Sequence, residues 1–134
     1  MTLARAMDVG NPSNLARIID LYGGDIDRLR KEVIGVAYND RDIVTTIREI
    51  YKAHGYLMGP QTATAYRALI DTIKPGETGV VMATGHPAKF PRATMEAIGK
   101  IPPPPSQLND LNLSVTPSAK IPPTLPALTR VILR

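Results

Sequence analysis

Apolar residues fall along this chain in helix-spaced stripes and in short continuous runs. Leu15, Ile18, Ile19 and Tyr22 stand at helical spacing. They follow Asn11-Pro12-Ser13-Asn14, whose polar side chains can cap a helix and whose Pro is tolerated in a first turn. Gly23-Gly24 stops that helix. Asp25 caps a second, with Ile26, Leu29 and Val33 on one stripe. The run Val33–Tyr38 allows a short strand, weakened by Gly35. Asn39-Asp40 caps a third helix, on which Ile43, Ile47 and Ile50 adjoin Val44 and Tyr51 to give a wide apolar face, and Gly55 ends it. A fourth helix starts at Gly59-Pro60 and reaches about Ile73, with Ala63, Ala65 and Ala68 letting a neighbour approach closely. Lys74-Pro75-Gly76 has strong turn chemistry. The apolar run Gly79-Val-Val-Met-Ala83, bounded by Pro75-Gly76 and Gly85, reads as a short buried strand. A fifth helix from about Pro91 to Ile98 follows.

After Gly99 the pattern changes. Eight of the thirteen prolines lie in residues 101–134, four of them in Pro102–Pro105. That density argues against a long helix or a central strand. It predicts an extended tail wrapped over the body, with Leu108, Leu111, Leu113, Leu125, Leu128 and Val131 as anchors. The expected fold class is therefore α/β: residues 1–99 as helices on a few short strands, and 100–134 as a Pro-rich tail.

Composition narrows the function classes. A chain of 134 residues with 43% apolar and 21% charged residues suits one globular domain. Five Tyr, one Phe and no Trp leave the core to aliphatic side chains. The formal charge of +4 is scattered, and the one basic cluster, Arg28-Leu-Arg-Lys31, is followed by Glu32. That is a solvated helix face. Without a basic stripe and stacking aromatics, no nucleic-acid partner is expected. The absence of Cys excludes disulfides and thiolate metal sites and is compatible with a reducing, cytoplasmic location. No apolar run reaches the ~18 residues of a membrane span, and the N-terminus lacks a signal-peptide core. His54 and His86 are the only histidines, and neither has a carboxylate pair at ligand spacing, so no metal is expected. Neither a G-x-S-x-G motif nor a Gly-rich phosphate loop occurs.

The informative segment is Thr84-Gly-His-Pro-Ala-Lys-Phe90. Open α/β sheets bind ligands at the carboxyl ends of buried strands, which is where this polar cluster would stand. Taken singly, Thr84 reads as a strand-end hydroxyl bonded to local backbone. His86 reads as a packed loop histidine and Lys89 as a solvated lysine. Three such groups within six residues mark a candidate site.

Four blocks then resemble the threonine synthases. Ala6-Met-Asp-Val-Gly-Asn-Pro-Ser-Asn14 is similar to the family's MDVGNPSN segment, with Tyr22-Gly-Gly-Asp25 after it. His54-Gly-Tyr-Leu-Met-Gly-Pro-Gln-Thr-Ala63 resembles TGYLLDPHTA, and Thr84–Pro91 resembles TAHPAKFP. The blocks keep family order and spacing, and the end of the chain resembles the family's end. The resemblance implies a tryptophan-synthase-β-like, fold-type-II enzyme that uses pyridoxal phosphate to convert O-phosphohomoserine and water to threonine and phosphate. It implies that Thr84 meets the pyridine nitrogen of the cofactor, and that His86 and Lys89, with Asn11 and Asn14, serve the substrate. Two family features have no counterpart here. None of the six lysines (31, 52, 74, 89, 100 and 120) lies in the Phe-Lys-Asp context of the Schiff-base lysine, and the Gly-Asn-rich cup for the cofactor phosphate is absent. Both precede, in the family, the segment that begins this chain. The expectation is a C-terminal portion, about the last third, with no catalytic residue of its own. It is expected to be inactive without an N-terminal part and prone to self-association. The alternative is a non-catalytic remnant or partner-binding module of the same fold. A smaller departure is Gly59 and Gln61, where the family has Asp and His.

Overall fold

Helix ends in the computed structural model, which describes residues 2–5, 9–108 and 119–133, follow local capping chemistry closely. Six α-helices lie among these residues: α1 Leu15–Leu21, α2 Ile26–Glu32, α3 Asp40–His54, α4 Pro60–Thr72, α5 Pro91–Ile98 and α6 Leu125–Ile132. Short 3-10 turns occur at Pro87–Lys89 and Ser106–Leu108. In α3 the Asn39 side chain accepts the Asp42 N–H while Asp42 accepts that of Asn39, a reciprocal cap. Gly55 (φ +66°) and Gly99 (φ +68°) close α3 and α5 in the left-handed region where glycine is favoured. Pro60 and Pro91 stand in first turns, where a missing N–H removes no helical bond. The Asp25 side chain caps α2 through the Arg28 N–H (2.9 Å). Asn14 does not cap α1 with its side chain; its carbonyl takes the Arg17 and Ile18 N–H groups instead.

The α/β expectation is overturned. Among the described residues there is no β-strand, and every regular element is helical. Val33 leaves α2 in extended conformation, and among the described residues 33–38 belong to no strand. Residues 79–83 alternate as an extended chain does. Val80 (81% exposed) and Met82 (73%) face solvent, while Val81 and Ala83 line a cavity. An apolar run marks a strand only when a second segment supplies its ladder hydrogen bonds, and none among the described residues does so. The run is instead laid against α4: a Cβ on Gly79 would collide with the Leu69 side chain. So close an approach explains a glycine there without any demand on φ.

The core lies where α3 packs on α4 and α5. Ile43, Val44, Ile47, Met58, Ala63 and Ala97 form it, with Ile47 fully buried. Ala93 and Thr94 are buried on α5, and their small size allows close packing. Arg48 reaches from α3 to the end of α5, donating from Nε to the Ala97 carbonyl (3.0 Å) and from Nη2 to that of Glu96 (3.3 Å). Tyr38 donates to Asp71 Oδ2 (2.7 Å), which also accepts from Arg67 Nε (3.0 Å). Leu3 N–H and the Thr2 hydroxyl both donate to Asp40 Oδ1. The helices α1 and α2 bury no residue fully; of the predicted stripe of α1, Ile18 and Tyr22 are half-buried while Leu15 and Ile19 are exposed.

Residues 105–134 form a second unit, distinct from residues 1–104. The Pro-rich tail carries one short helix, α6. Pro126 falls in its first turn, where Pro does not break a helix. Leu125, Leu128 and Val131, expected as anchors, lie on α6. Leu111 and Leu113 lie outside the described residues, as do residues 6–8 of the first family-like block, and of Leu108 only the backbone is described. No described helix is long and apolar enough to cross a membrane.

Candidate functional site

The turn that follows residues 79–83 is built on prolines and backbone. Pro87 and Pro91 fix φ at both ends of the 3-10 turn Pro87–Lys89. His86 caps it, its Nδ1 accepting the Ala88 N–H at 3.2 Å. A neutral His86 thus carries its proton on Nε2, assigned from this bond.

Before this turn lies a cavity of about 440 Å3, lined by Tyr56, Leu57, Ala83, Thr84, Gly85 and His86. The Thr84 side chain makes no hydrogen bond among the described residues, so the local backbone does not satisfy it. None of the six lysines lines this cavity. Tyr56 and Ala83 also line an apolar cavity of about 330 Å3, with His54, Met58, Tyr66 and Val81.

Lys89 parts from the other two. It lies at the far end of the turn, along a groove of about 430 Å3 with Arg5, Arg92 and Asp40. Its Nζ stands 5.8 Å from the centre of the Phe90 ring, within cation–π range. The Leu3 N–H holds the Asp40 carboxyl below its ordinary value, helped by the Thr2 hydroxyl. Asn11 and Asn14 stand at the start of α1, and neither lines the Thr84 cavity. Of the five residues singled out from sequence, the structure therefore brings together Thr84 and His86 only. Among the described residues no group of three or more His, Cys, Asp or Glu could hold a metal ion.

Sequence reasoning named Tyr56, Gly59, Gly85 and Phe90 but gave none of them a place in the site. Gly59 begins α4 and packs on the Thr84 turn: a Cβ there would stand 3.1 Å from the Gly85 carbonyl oxygen. Phe90 is buried beside both glycines. A signal was present, since the chain's only Phe closes the polar segment and a glycine sits inside it.

Comparison with known proteins gives these features a context. A family model described as "Threonine synthase, C-terminal" matches residues 62–132. Threonine synthase of Escherichia coli (strain K12) is 44% identical over 97 residues, covering 72% of this chain and 22% of that protein. Threonine synthase of Serratia marcescens is 38% identical over 107 residues, covering 80% and 24%. The crystal structure of threonine synthase from Escherichia coli superposes with a TM-score of 0.77 at 36% identity, covering 98% of this chain and 30% of that one. The pyridoxal-phosphate-bound threonine synthase from Brucella melitensis gives 0.62 at 25% identity, covering 81% and 28%. The chain thus spans under a third of the length of these relatives.

Proposed function

This chain belongs to the threonine synthase family, as a C-terminal portion of a pyridoxal-phosphate-dependent, fold-type-II enzyme, and on that premise we propose that it supplies the wall facing the cofactor's pyridine ring. One observation supports the reading above the rest: the Thr84 hydroxyl lines a cavity and has no partner among the described residues. The Tyr56, Leu57 and Ala83 walls suit a flat heteroaromatic ring, and a single hydroxyl suits its nitrogen. When bound, pyridoxal phosphate supplies an electron sink for charge that develops on the substrate. Thr84 binds and orients the ring. Its neutral hydroxyl holds a proton on the ring nitrogen less firmly than a carboxylate would, which moderates the sink.

His86, with Nδ1 occupied by Ala88, keeps Nε2 for the phosphate of the substrate, O-phosphohomoserine. Lys89, Asn11 and Asn14 would have to act from outside the Thr84 cavity. The complete reaction in this reading converts O-phosphohomoserine and water to threonine and phosphate. It needs a lysine and a cofactor-phosphate cup from an N-terminal partner, in the same chain or a separate one. The 134-residue chain alone is proposed to be inactive.

The test is phosphate release from O-phosphohomoserine with pyridoxal phosphate, using this chain alone and mixed with the N-terminal part of threonine synthase from its own genome. Activity in the mixture, lost at least tenfold on Thr84→Val, is the expected result. No activity in the mixture with a folded chain would replace this reading by a non-catalytic remnant or partner-binding module.

A further inference from the structure

Gly59 and Gly85 meet where α4 begins and the Thr84 turn crosses it. Neither has the positive φ that calls for glycine. What each position lacks is room. A Cβ on Gly59 would stand 3.1 Å from the Gly85 carbonyl oxygen and 3.5 Å from Phe90 Cδ2. One on Gly85 would stand 3.3 Å from Phe90 Cε2. The edge of one ring is the neighbour common to both.

That ring has little freedom to move. Phe90 is 9% exposed, and as the residue before Pro91 its backbone is kept out of the helical region (φ −125°, ψ 59°). Its carbonyl accepts the Thr94 N–H (3.2 Å), which ties it to the first turn of α5. α5 in turn is packed on α3 and held at its far end by Arg48. Among the described residues the turn preceding the ring is bonded within itself, Lys89 N–H to the His86 carbonyl (3.0 Å) and Phe90 N–H to that of Pro87 (2.9 Å). Neither the Thr84 nor the Gly85 N–H takes part in a backbone hydrogen bond among the described residues.

We propose that Phe90 is the positioning residue for Thr84: its ring edge, fitted against the bare backbones of Gly59 and Gly85, sets where the Thr84 hydroxyl and the His86 ring stand in the cavity. The role assigned to Thr84 rests on the function proposed above; the mechanical claim about Phe90 does not. Lys89 follows from the same contact. Placed over the Phe90 ring, it stabilises the wedge, which accounts for its place in the segment without a substrate contact.

The experiment uses the 15N-labelled 134-residue chain in four forms: wild type, Phe90→Leu, Gly85→Ala and the double variant. Phe90→Leu empties the space beside Gly85, and Gly85→Ala crowds the ring. Together the new methyl occupies part of the vacated volume, so the double variant should recover. Backbone order parameters at Thr84, Gly85 and His86 are expected near the rigid value of ~0.85 in the wild type and below ~0.6 in Phe90→Leu. They should return towards the wild-type value in the double variant, with the α3 amides unchanged throughout. Unchanged order at 84–86 in both single variants would overturn the proposal, and so would an equal loss across α3. If Phe90→Leu melts the chain, the Gly85→Ala form alone carries the same comparison. In the mixture with the N-terminal part, kcat should fall with the order parameters while KM changes less than threefold. An order parameter that falls while Thr84→Val leaves kcat intact would sink the function proposed for Thr84 and leave the positioning claim standing.

Discussion

Replacing Arg48 tests the packing that holds α5 in place. The Arg48 guanidinium donates to two carbonyls at the end of α5, Ala97 at 3.0 Å and Glu96 at 3.3 Å. Those carbonyls have no partner further along the helix, and the positive charge sits at the negative end of its dipole. In Arg48→Met the stem stays and the donors go. The Glu96 carbonyl is exposed and rehydrates with little loss, so its bond counts for little. The Ala97 carbonyl belongs to a buried residue and is only partly hydrated again, which leaves a cost of about 1 kcal/mol. The lost charge–dipole term adds about 0.3–1 kcal/mol. A total of about 1–2 kcal/mol corresponds to roughly a 5–30-fold change in the folded-to-unfolded ratio. The assay is urea unfolding followed by circular dichroism, with the slope m unchanged and the midpoint lowered. Arg48→Lys keeps the charge but offers a point donor in place of a fork, so it should fall between wild type and Arg48→Met. If Arg48→Met lies within ~0.5 kcal/mol of wild type, the two bonds are surface decoration and the reasoning is wrong.

Two further outcomes follow from exposed chemistry. Asp71 accepts from both Tyr38 and Arg67, and these bonds hold its carboxyl below the ordinary aspartate value of 3.8. Its contribution is therefore present above that value and is lost as pH falls through the lower folded-state value. Asp71→Asn should flatten the dependence of the urea midpoint on pH between about 5 and 2, and an unchanged acid limb would contradict the assignment. The Tyr38 phenol is raised by the same bond, so its share persists below the ordinary value of 10.0 and is lost as pH rises above it. Finally, exposed Val80, Met82, Leu21 and Ile34 predict self-association of the 134-residue chain. Sedimentation should show a concentration-dependent rise in mass that Val80→Lys with Met82→Lys reduces; a monodisperse monomer at all concentrations would refute it.

Helices α3, α4 and α5 were legible because a helix is a local object. Its bonds run from residue i to i−4, and its ends are set by residues such as Asn39, Gly55, Pro60, Pro91 and Gly99 that act within a turn of themselves. The wide apolar face of α3 was legible for the same reason, since Ile43, Val44 and Ile47 share a side by spacing alone. The four family-like blocks were legible as residue order, and the family followed from them. Strands were not legible, because Gly79–Ala83 has the right composition but a strand exists only by pairing, and pairing belongs to another segment. Nor could spacing predict that Thr84 and His86 would face one cavity while Lys89, three residues on, lines a different groove. That division comes from the 3-10 turn Pro87–Lys89 and the buried ring of Phe90, whose neighbours Gly59 and Gly85 are 26 residues apart in sequence. Local hydrogen bonding and side-chain periodicity were thus in the sequence itself. Which distant backbones come close enough to exclude a methyl group was decided only when α3, α4 and α5 packed together.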